Sequence, residues 1–261
     1  MSDKGPVYCV RVQVDRRTTR DEVLLVLGLS LGASAVYSIV TLIARLTAGP
    51  PLAQQTATLN RSESDRPWLD LTLQLLNIFF ALVPALLVVH LLRTEPGGTR
   101  ATLGLDRRRP WADGLSGVAL AALIGIPGLG FYLVARELGI NTTIVASALP
   151  RIWWAVPVLV LAAVQNAVLE EVVVVGYLVT RLRQLGMTVP VTVAASALLR
   201  GSYHVYQGFG AFLGNAIMGV VFAGFFLRRR RVLPLVIAHA LLDIAAFVGY
   251  ALLRDRLGFL R

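Results

Sequence analysis

Two adjacent glutamates, Glu170 and Glu171, lie inside an otherwise apolar stretch at residues 165–177. A carboxylate in hydrocarbon is costly and usually serves a function. A single glutamate at a helix end can snorkel to water. Adjacent helical positions differ by roughly 100°, so two neighbouring carboxylates do not easily share one exit. We therefore expect at least one of them to have a partner inside the protein.

Two further apolar stretches carry ionisable pairs at a spacing of four residues. Arg200 and His204 form the first pair, and His239 and Asp243 form the second. Side chains four residues apart lie on the same helix face. Asn166 precedes Glu170 by the same interval. Each of the three helices is thus predicted to carry a polar stripe.

If the three stripes face one cavity, they bring together two imidazoles, up to three carboxylates and a guanidinium. Such a set can activate water, either on a metal ion or by a carboxylate alone. A glutamate can act as the general base, while imidazoles hold a metal or donate to a developing oxyanion. For any one of these residues considered alone, the alternative is a structural role, in which its side chain forms a hydrogen bond between helices.

Composition indicates the setting in which these helices must fold. The 261 residues are 56% hydrophobic and carry a formal charge of +10, with a mean hydropathy of +0.69. These values predict an integral membrane protein whose partner is the lipid bilayer. The arginines cluster between apolar runs rather than along one amphipathic face, so we expect no nucleic-acid partner. The single Cys9 excludes an internal disulfide framework.

The apolar runs predict an all-α, polytopic bundle of about seven transmembrane helices, because about 20 residues cross a bilayer. Since residues 140–152 are ambiguous, six or eight spans are alternatives. A capping box of Thr19 and Glu22 is expected to start the first helix. The predicted spans are 22–46, 70–92, 115–135, 153–186, a fifth from about 190, 211–227 and 232–252.

The arginine distribution also predicts the orientation of the chain. With seven spans, a cytoplasmic N-terminus places most Lys and Arg residues on the cytoplasmic side, including the runs 107–109 and 228–231. The positive-inside rule favours that arrangement. Residues 1–20 are then a cytoplasmic N-terminal segment, 21–149 form the first transmembrane helices, and 253–261 form a tail.

The ordered motifs resemble those of the CPBP family of intramembrane proteases, which includes type II CAAX prenyl endopeptidases and the ABI group of immunity proteins. That family is marked by GluGluxxxArg, then PhexxxHis, then HisxxxAsn or HisxxxAsp, on three separate helices. The matches here are Glu170 with Glu171, then His204, then His239 with Asp243. The resemblance covers residues 150–252 and implies that this region is the catalytic core.

Two positions depart from the family pattern. Val175 stands where the first motif has Arg, and Arg200 stands where the second motif has Phe. Together these changes suggest that the positive charge has moved to another helix, from which Arg200 is predicted to contact Glu171 or Glu170 and hold Glu171 in preference. A buried arginine and two adjacent glutamates each need a counter-charge.

The resemblance implies a membrane endopeptidase that cleaves a membrane-associated peptide or protein, in which Glu170 activates water. His204 and His239 are implied as metal ligands or oxyanion donors, and Asp243 as an assisting residue. Zinc on Glu170, His204 and His239 is left open as a cofactor. The plasma membrane is the expected location. A non-catalytic scaffold or immunity-like protein of the same fold is the alternative, and a proton-coupled transporter is a third class.

Overall fold

The structure is a computed structural model that describes residues 15–106 and 108–253. Most of the predicted N-terminal segment, Arg107 of the first arginine run and nearly all of the predicted tail lie outside these residues. The described chain is an α-helical bundle, as the sequence predicts.

The elements follow one another in two halves. The first half contains helices α1 (Arg16–Gly28), α2 (Leu31–Thr47), α3 (Pro67–Ala81), α4 (Val83–Leu91), α5 (Gly98–Leu103) and α6 (Pro110–Glu137), with strands β1 (Thr56–Asn60) and β2 (Thr143–Ser147). The second half contains α7 (Ala155–Glu170), a π-helical segment (Glu171–Tyr177), α8 (Leu178–Gln184), α9 (Val189–His204), α10 (Phe209–Arg229) and α11 (Leu233–Leu253).

The described residues include five helical stretches that are long and apolar enough to cross a membrane, and a sixth if α1 and α2, bent by 51°, form one span. The five are Pro67–Thr94, Pro110–Glu137, Ala155–Gln184, Phe209–Arg229 and Leu233–Leu253. Helix α9, at the fifth predicted span, has only 16 residues. At about 1.5 Å per residue it is shorter than a typical span. Helices of this length and apolar composition are those of an integral membrane protein.

The stretch with the two glutamates lies at the centre of the bundle. In Ala155–Gln184, 61% of the most apolar window is buried, against 11% in Pro110–Glu137. A helix that is apolar all round is buried by its neighbours. The π segment contributes Val172 to Val175 and Tyr177 to the largest hydrophobic core cluster. Helices α4, α5, α9 and α10 pack against the π segment, and α11 packs against α7.

Close packing of α9 against α10 depends on small residues at the contact. A Cβ on Gly219 of α10 would lie 2.8 Å from Cα of Ala197, and one on Gly201 of α9 would lie 2.8 Å from the carbonyl oxygen of Phe212. Small residues allow helix backbones to approach each other in a membrane. This contact fixes the face that α9 turns towards the π segment.

Helix α1 begins earlier than the predicted capping box indicates. Its N-cap is Asp15, whose side chain accepts hydrogen bonds from the backbone N–H of Arg17 over 3.0 Å and from the hydroxyl of Thr18. Glu22 instead accepts hydrogen bonds from the hydroxyl of Tyr177 and from the guanidinium of Arg181. The capping prediction was wrong because Asp15 caps the helix about one turn earlier and Glu22 has its partners in a distant part of the chain.

Two short strands were not predicted. They pair in parallel, with Thr56 opposite Thr143 and Asn60 opposite Ser147. Each strand precedes one of the long helices, α3 and α7. The sheet therefore links the segment that precedes α3 to the segment that precedes α7.

Candidate active site

Glu170 is the last residue of α7, and Glu171 opens the π segment. A π segment shifts the backbone hydrogen bonds from i+4 to i+5 and often marks a functional site. Two hydroxyl groups bond to its carbonyls: Ser196 Oγ donates to the oxygen of Val174 over 2.9 Å, and Thr180 Oγ1 donates to that of Gly176 over 2.6 Å. The irregular turn is thus held by side chains from α8 and α9.

Arg200 of α9 reaches Glu171 across the bundle. Its Nη2 donates to Oε1 of Glu171 over 2.5 Å, and both side chains are fully buried. Nη1 lies 3.5 Å from Oε2 of Glu170, close enough for an ion pair but without hydrogen-bond geometry. The ring of Phe222 lies 5.4 Å from the guanidinium carbon and adds a cation–π contact. The contact that the sequence predicts between Arg200 and Glu171 is present.

Glu170 has a different environment from its neighbour. The hydroxyl of Tyr203 donates to Oε2 of Glu170 over 2.7 Å. Its Oε1 receives no hydrogen bond from the residues that the structure describes. Glu170 lines a cavity, whereas Glu171 is fully buried. The two carboxylates therefore differ in access to water, and Glu170 is the one that can receive a proton from it.

His239 of α11 lies between two carboxylates. Its Nδ1 is 2.7 Å from Oε1 of Glu171, and its Nε2 is 3.7 Å from Oδ1 of Asp243. Because a carboxylate accepts, Nδ1 donates to Glu171 in this arrangement, whereas the contact between Nε2 and Asp243 is too long for a hydrogen bond. Asn166 Nδ2 in turn donates to Oδ2 of Asp243 over 3.4 Å. A continuous chain of contacts thus connects the three polar stripes.

His204 closes α9 and is oriented by its own helix. Its Nδ1 lies 3.1 Å from the carbonyl oxygen of Arg200. Because a carbonyl only accepts, Nδ1 carries the proton in this arrangement and Nε2 is the nitrogen left to exchange a proton.

A cavity of about 720 Å³ lies next to the polar residues of the three helices. The residues that line it from the predicted polar stripes are Asn166, Glu170, His204, His239 and Asp243. A second cavity of about 640 Å³, mostly apolar, lies between α6, α10 and α11 and also reaches His204, His239 and Asp243. The two histidines and Asp243 therefore line both cavities.

Three of these residues could hold a metal ion by type and spacing. Candidate ligand atoms of Glu170, Glu171 and His239 all lie within 4.8 Å of one another. Oε2 of Glu171 is buried and has no hydrogen-bond partner among the described residues, so it is free to serve as a ligand. The guanidinium of Arg200 beside the same carboxylate opposes a further positive charge. This set differs from the predicted one in having Glu171 in place of His204.

The structure brings all six predicted site residues together, while their catalytic roles stay predictions. Sequence reasoning missed Tyr203, which lies three residues after Arg200 and so shares its face of α9. It also missed the π segment and the contribution of Ser196. No periodicity in the apolar run 172–175 distinguishes a π turn from an α turn.

Comparison with known proteins finds one family. Residues 152–245 match the sequence model described as type II CAAX prenyl endopeptidase Rce1-like. The matched segment runs from the start of α7 into α11 and contains all six predicted site residues. No curated protein and no solved structure matches the chain significantly.

Proposed function

Because residues 152–245 of this chain belong to the Rce1-like family of type II CAAX prenyl endopeptidases, we propose that it is an intramembrane endopeptidase acting on a membrane-associated peptide or protein. Residues 150–252 would form the catalytic core. We also propose that the chain resides in the plasma membrane with a cytoplasmic N-terminus, on the basis of its arginine distribution.

The observation that supports the proposal is that two adjacent carboxylates have different environments. Arg200 and His239 both contact Glu171 at Oε1, which fixes this side chain as a buried anion. Glu170 borders the cavity, and one of its oxygens receives no hydrogen bond from the described residues. General base catalysis requires a carboxylate with access to water and a fixed position. Glu170 meets both requirements, and Glu171 supports the site.

The proposed reaction is hydrolysis of a peptide bond. Glu170 removes a proton from water as the water oxygen bonds to the carbonyl carbon, and the carbonyl oxygen becomes an oxyanion. The imidazoles of His204 and His239 can donate a hydrogen bond to that charge when protonated. The C–N bond then breaks as the proton passes to the leaving amine from Glu170, either directly or through Nε2 of His204.

In a second form of the same proposal, the site binds zinc. Glu170, Glu171 and His239 would hold the ion, which when bound would supply Lewis-acid polarisation to the site. The roles of Arg200 and Tyr203 in fixing the two carboxylates are the same in either form.

The proposal is tested with the full chain reconstituted in proteoliposomes. The probe is a fluorogenic peptide that ends in a farnesylated CAAX sequence, chosen because the family description names that class. We compare the wild-type protein with Glu170→Gln, which keeps the shape of the side chain but removes the base. Glu137→Gln is the matched control, because Glu137 is an exposed carboxylate at the end of α6.

We expect Glu170→Gln to lower kcat by about a hundredfold or more, within the range that general acid–base catalysis contributes. Glu137→Gln should cleave at the wild-type rate. Equal cleavage by Glu170→Gln and wild type would exclude Glu170 as the base. If the wild-type protein leaves the peptide intact, the proposal fails for this substrate and the scaffold alternative is favoured.

A further inference from the structure

The two-stranded sheet has an outer edge on β1. Thr143 donates its backbone N–H to the carbonyl of Gln55 over 3.0 Å, so Gln55 directs its backbone towards β2. Backbone groups of successive strand residues point to opposite sides, which directs those of Thr56 and Thr58 away from β2. The carbonyl of Thr56 accepts a hydrogen bond from Nη2 of Arg45 over 3.2 Å. This contact places the end of α2 at the outer edge.

The outer edge leads into the candidate active site. Leu59 and Asn60 of β1 line the same cavity as Glu170 and His204. The facing wall comes from α2, through the polar side chains of Ser34, Tyr37, Ser38 and Thr41. Tyr37 is 75% exposed, so the cavity reaches the surface of the bundle there. Ile144 and Ala146 of β2 line the cavity as well. A groove thus runs between α2 and the two-stranded sheet towards the proposed catalytic groups.

A peptide that enters this groove needs partners for its backbone. In the low-dielectric interior of a membrane protein, each unpaired N–H or C=O group is costly. A helical substrate satisfies these groups internally, but its amide bonds are then shielded from attack. An extended peptide exposes its amide bonds and can pair its backbone with a free strand edge.

We propose that the substrate segment binds as an extended strand on the outer edge of β1, with backbone hydrogen bonds to Thr58. The inference rests on the proposed function, since it assigns the peptide that Glu170 would cleave to this groove. Arg45 occupies the edge at Thr56 and limits the added strand at that end. The partner is therefore a locally unwound peptide, which the protein recognises through hydrogen bonds to the peptide backbone.

The test removes one edge donor without changing the ladder between the strands. Thr58→Pro deletes the backbone N–H at position 58, and proline is tolerated on an edge strand when the missing N–H faces outward. Thr58→Val is the matched control, because it removes the hydroxyl but keeps the N–H and a β-branched shape. Circular dichroism and thermal unfolding of both variants check that the fold is retained.

Each full-chain variant is assayed in proteoliposomes for KM and kcat on the farnesylated CAAX peptide, and for binding of a labelled form of that peptide by fluorescence anisotropy. Loss of one backbone hydrogen bond is expected to raise KM and the dissociation constant of Thr58→Pro by about threefold to tenfold. The increase for Thr58→Val should be several times smaller, because that variant keeps the backbone N–H.

Two outcomes overturn the inference: Thr58→Pro binds the peptide as wild type does, or Thr58→Val weakens binding as much as Thr58→Pro. Absence of saturable binding to the wild-type protein also overturns it. If the wild-type protein binds the peptide without cleaving it, and Thr58→Pro weakens that binding, the strand site stands while the proposed protease activity fails.

Discussion

Arg200 on α9 and Glu171 at the start of the π segment form a fully buried ion pair, with Nη2 of the arginine 2.5 Å from Oε1 of the glutamate. The family pattern places an arginine four residues after the second glutamate, where this chain has Val175. The pair shows that a cation from another helix reaches Glu171 in this chain.

Exchange of the two positions tests whether the relocated charge supports the site. Arg200→Phe should destabilise the protein by about 3–5 kcal/mol, because removal of one partner leaves a buried charge uncompensated. Cleavage of the farnesylated peptide should be lost with it. Addition of Val175→Arg should restore part of both, since position 175 lies close to one π turn beyond Glu171. Thermal unfolding in detergent and the peptide assay measure the two effects.

Val175→Arg alone is the control for this exchange. Val175 is fully buried, so an arginine there in the presence of Arg200 should overpack the core and destabilise the protein. A double variant that is no more stable and no more active than Arg200→Phe would contradict the compensation.

Tyr203 should act as a positioning residue for Glu170. Tyr203→Phe removes the hydroxyl that donates to Oε2 of Glu170, a bond to a charged acceptor worth about 1.5–3 kcal/mol. We expect kcat to fall by about tenfold with little change in KM, because substrate contacts are unaffected. Tyr206→Phe is matched to it, as Tyr206 lines the same cavity and its hydroxyl accepts from Gln207. Equal losses in both variants would argue against a specific role for Tyr203.

The helical stripes could be predicted because their spacing is local. Arg200 with His204, and His239 with Asp243, share helix faces whatever the rest of the fold. The direction of the His204 ring could not be predicted, because its Nδ1 faces the carbonyl of Arg200 only in the folded helix end. The strands were also missed, since short segments containing Thr56 and Thr143 pair only when distant loops meet.

The π segment depends on packing in the same way. Its sequence, with four consecutive valines, is compatible with an ordinary span. The longer hydrogen-bond period becomes favourable when hydroxyls from other turns satisfy the carbonyls that it exposes. Residues 170 and 171 could therefore be selected from the sequence, and the family resemblance implied which of them Arg200 holds, but the π turn that begins between them could not be predicted.

Removal of the hydroxyl of Ser196 tests that account of the π segment. In Ser196→Ala the buried carbonyl of Val174 loses its side-chain donor, which should cost about 1–3 kcal/mol of stability. The peptide assay should also show a lower kcat, because the segment fixes Glu171. Ser202→Ala on the same helix is the control, since its hydroxyl donates to Leu198 at an exposed position. A stability loss in Ser202→Ala as large as in Ser196→Ala would contradict the assignment.

Chelation separates the two forms of the proposed mechanism. Arg200 already places a positive charge 2.5 Å from Oε1 of Glu171 and 3.5 Å from Oε2 of Glu170. A divalent cation on the same carboxylates would be repelled by that guanidinium at short range in a medium of low dielectric constant. We therefore expect proteoliposomes treated with 1,10-phenanthroline to keep most of their activity, and elemental analysis of the purified protein to find zinc well below one equivalent. Cleavage that is lost on chelation and restored by added zinc, together with one bound equivalent that Glu171→Gln fails to retain, would assign the water activation to a metal on Glu170, Glu171 and His239.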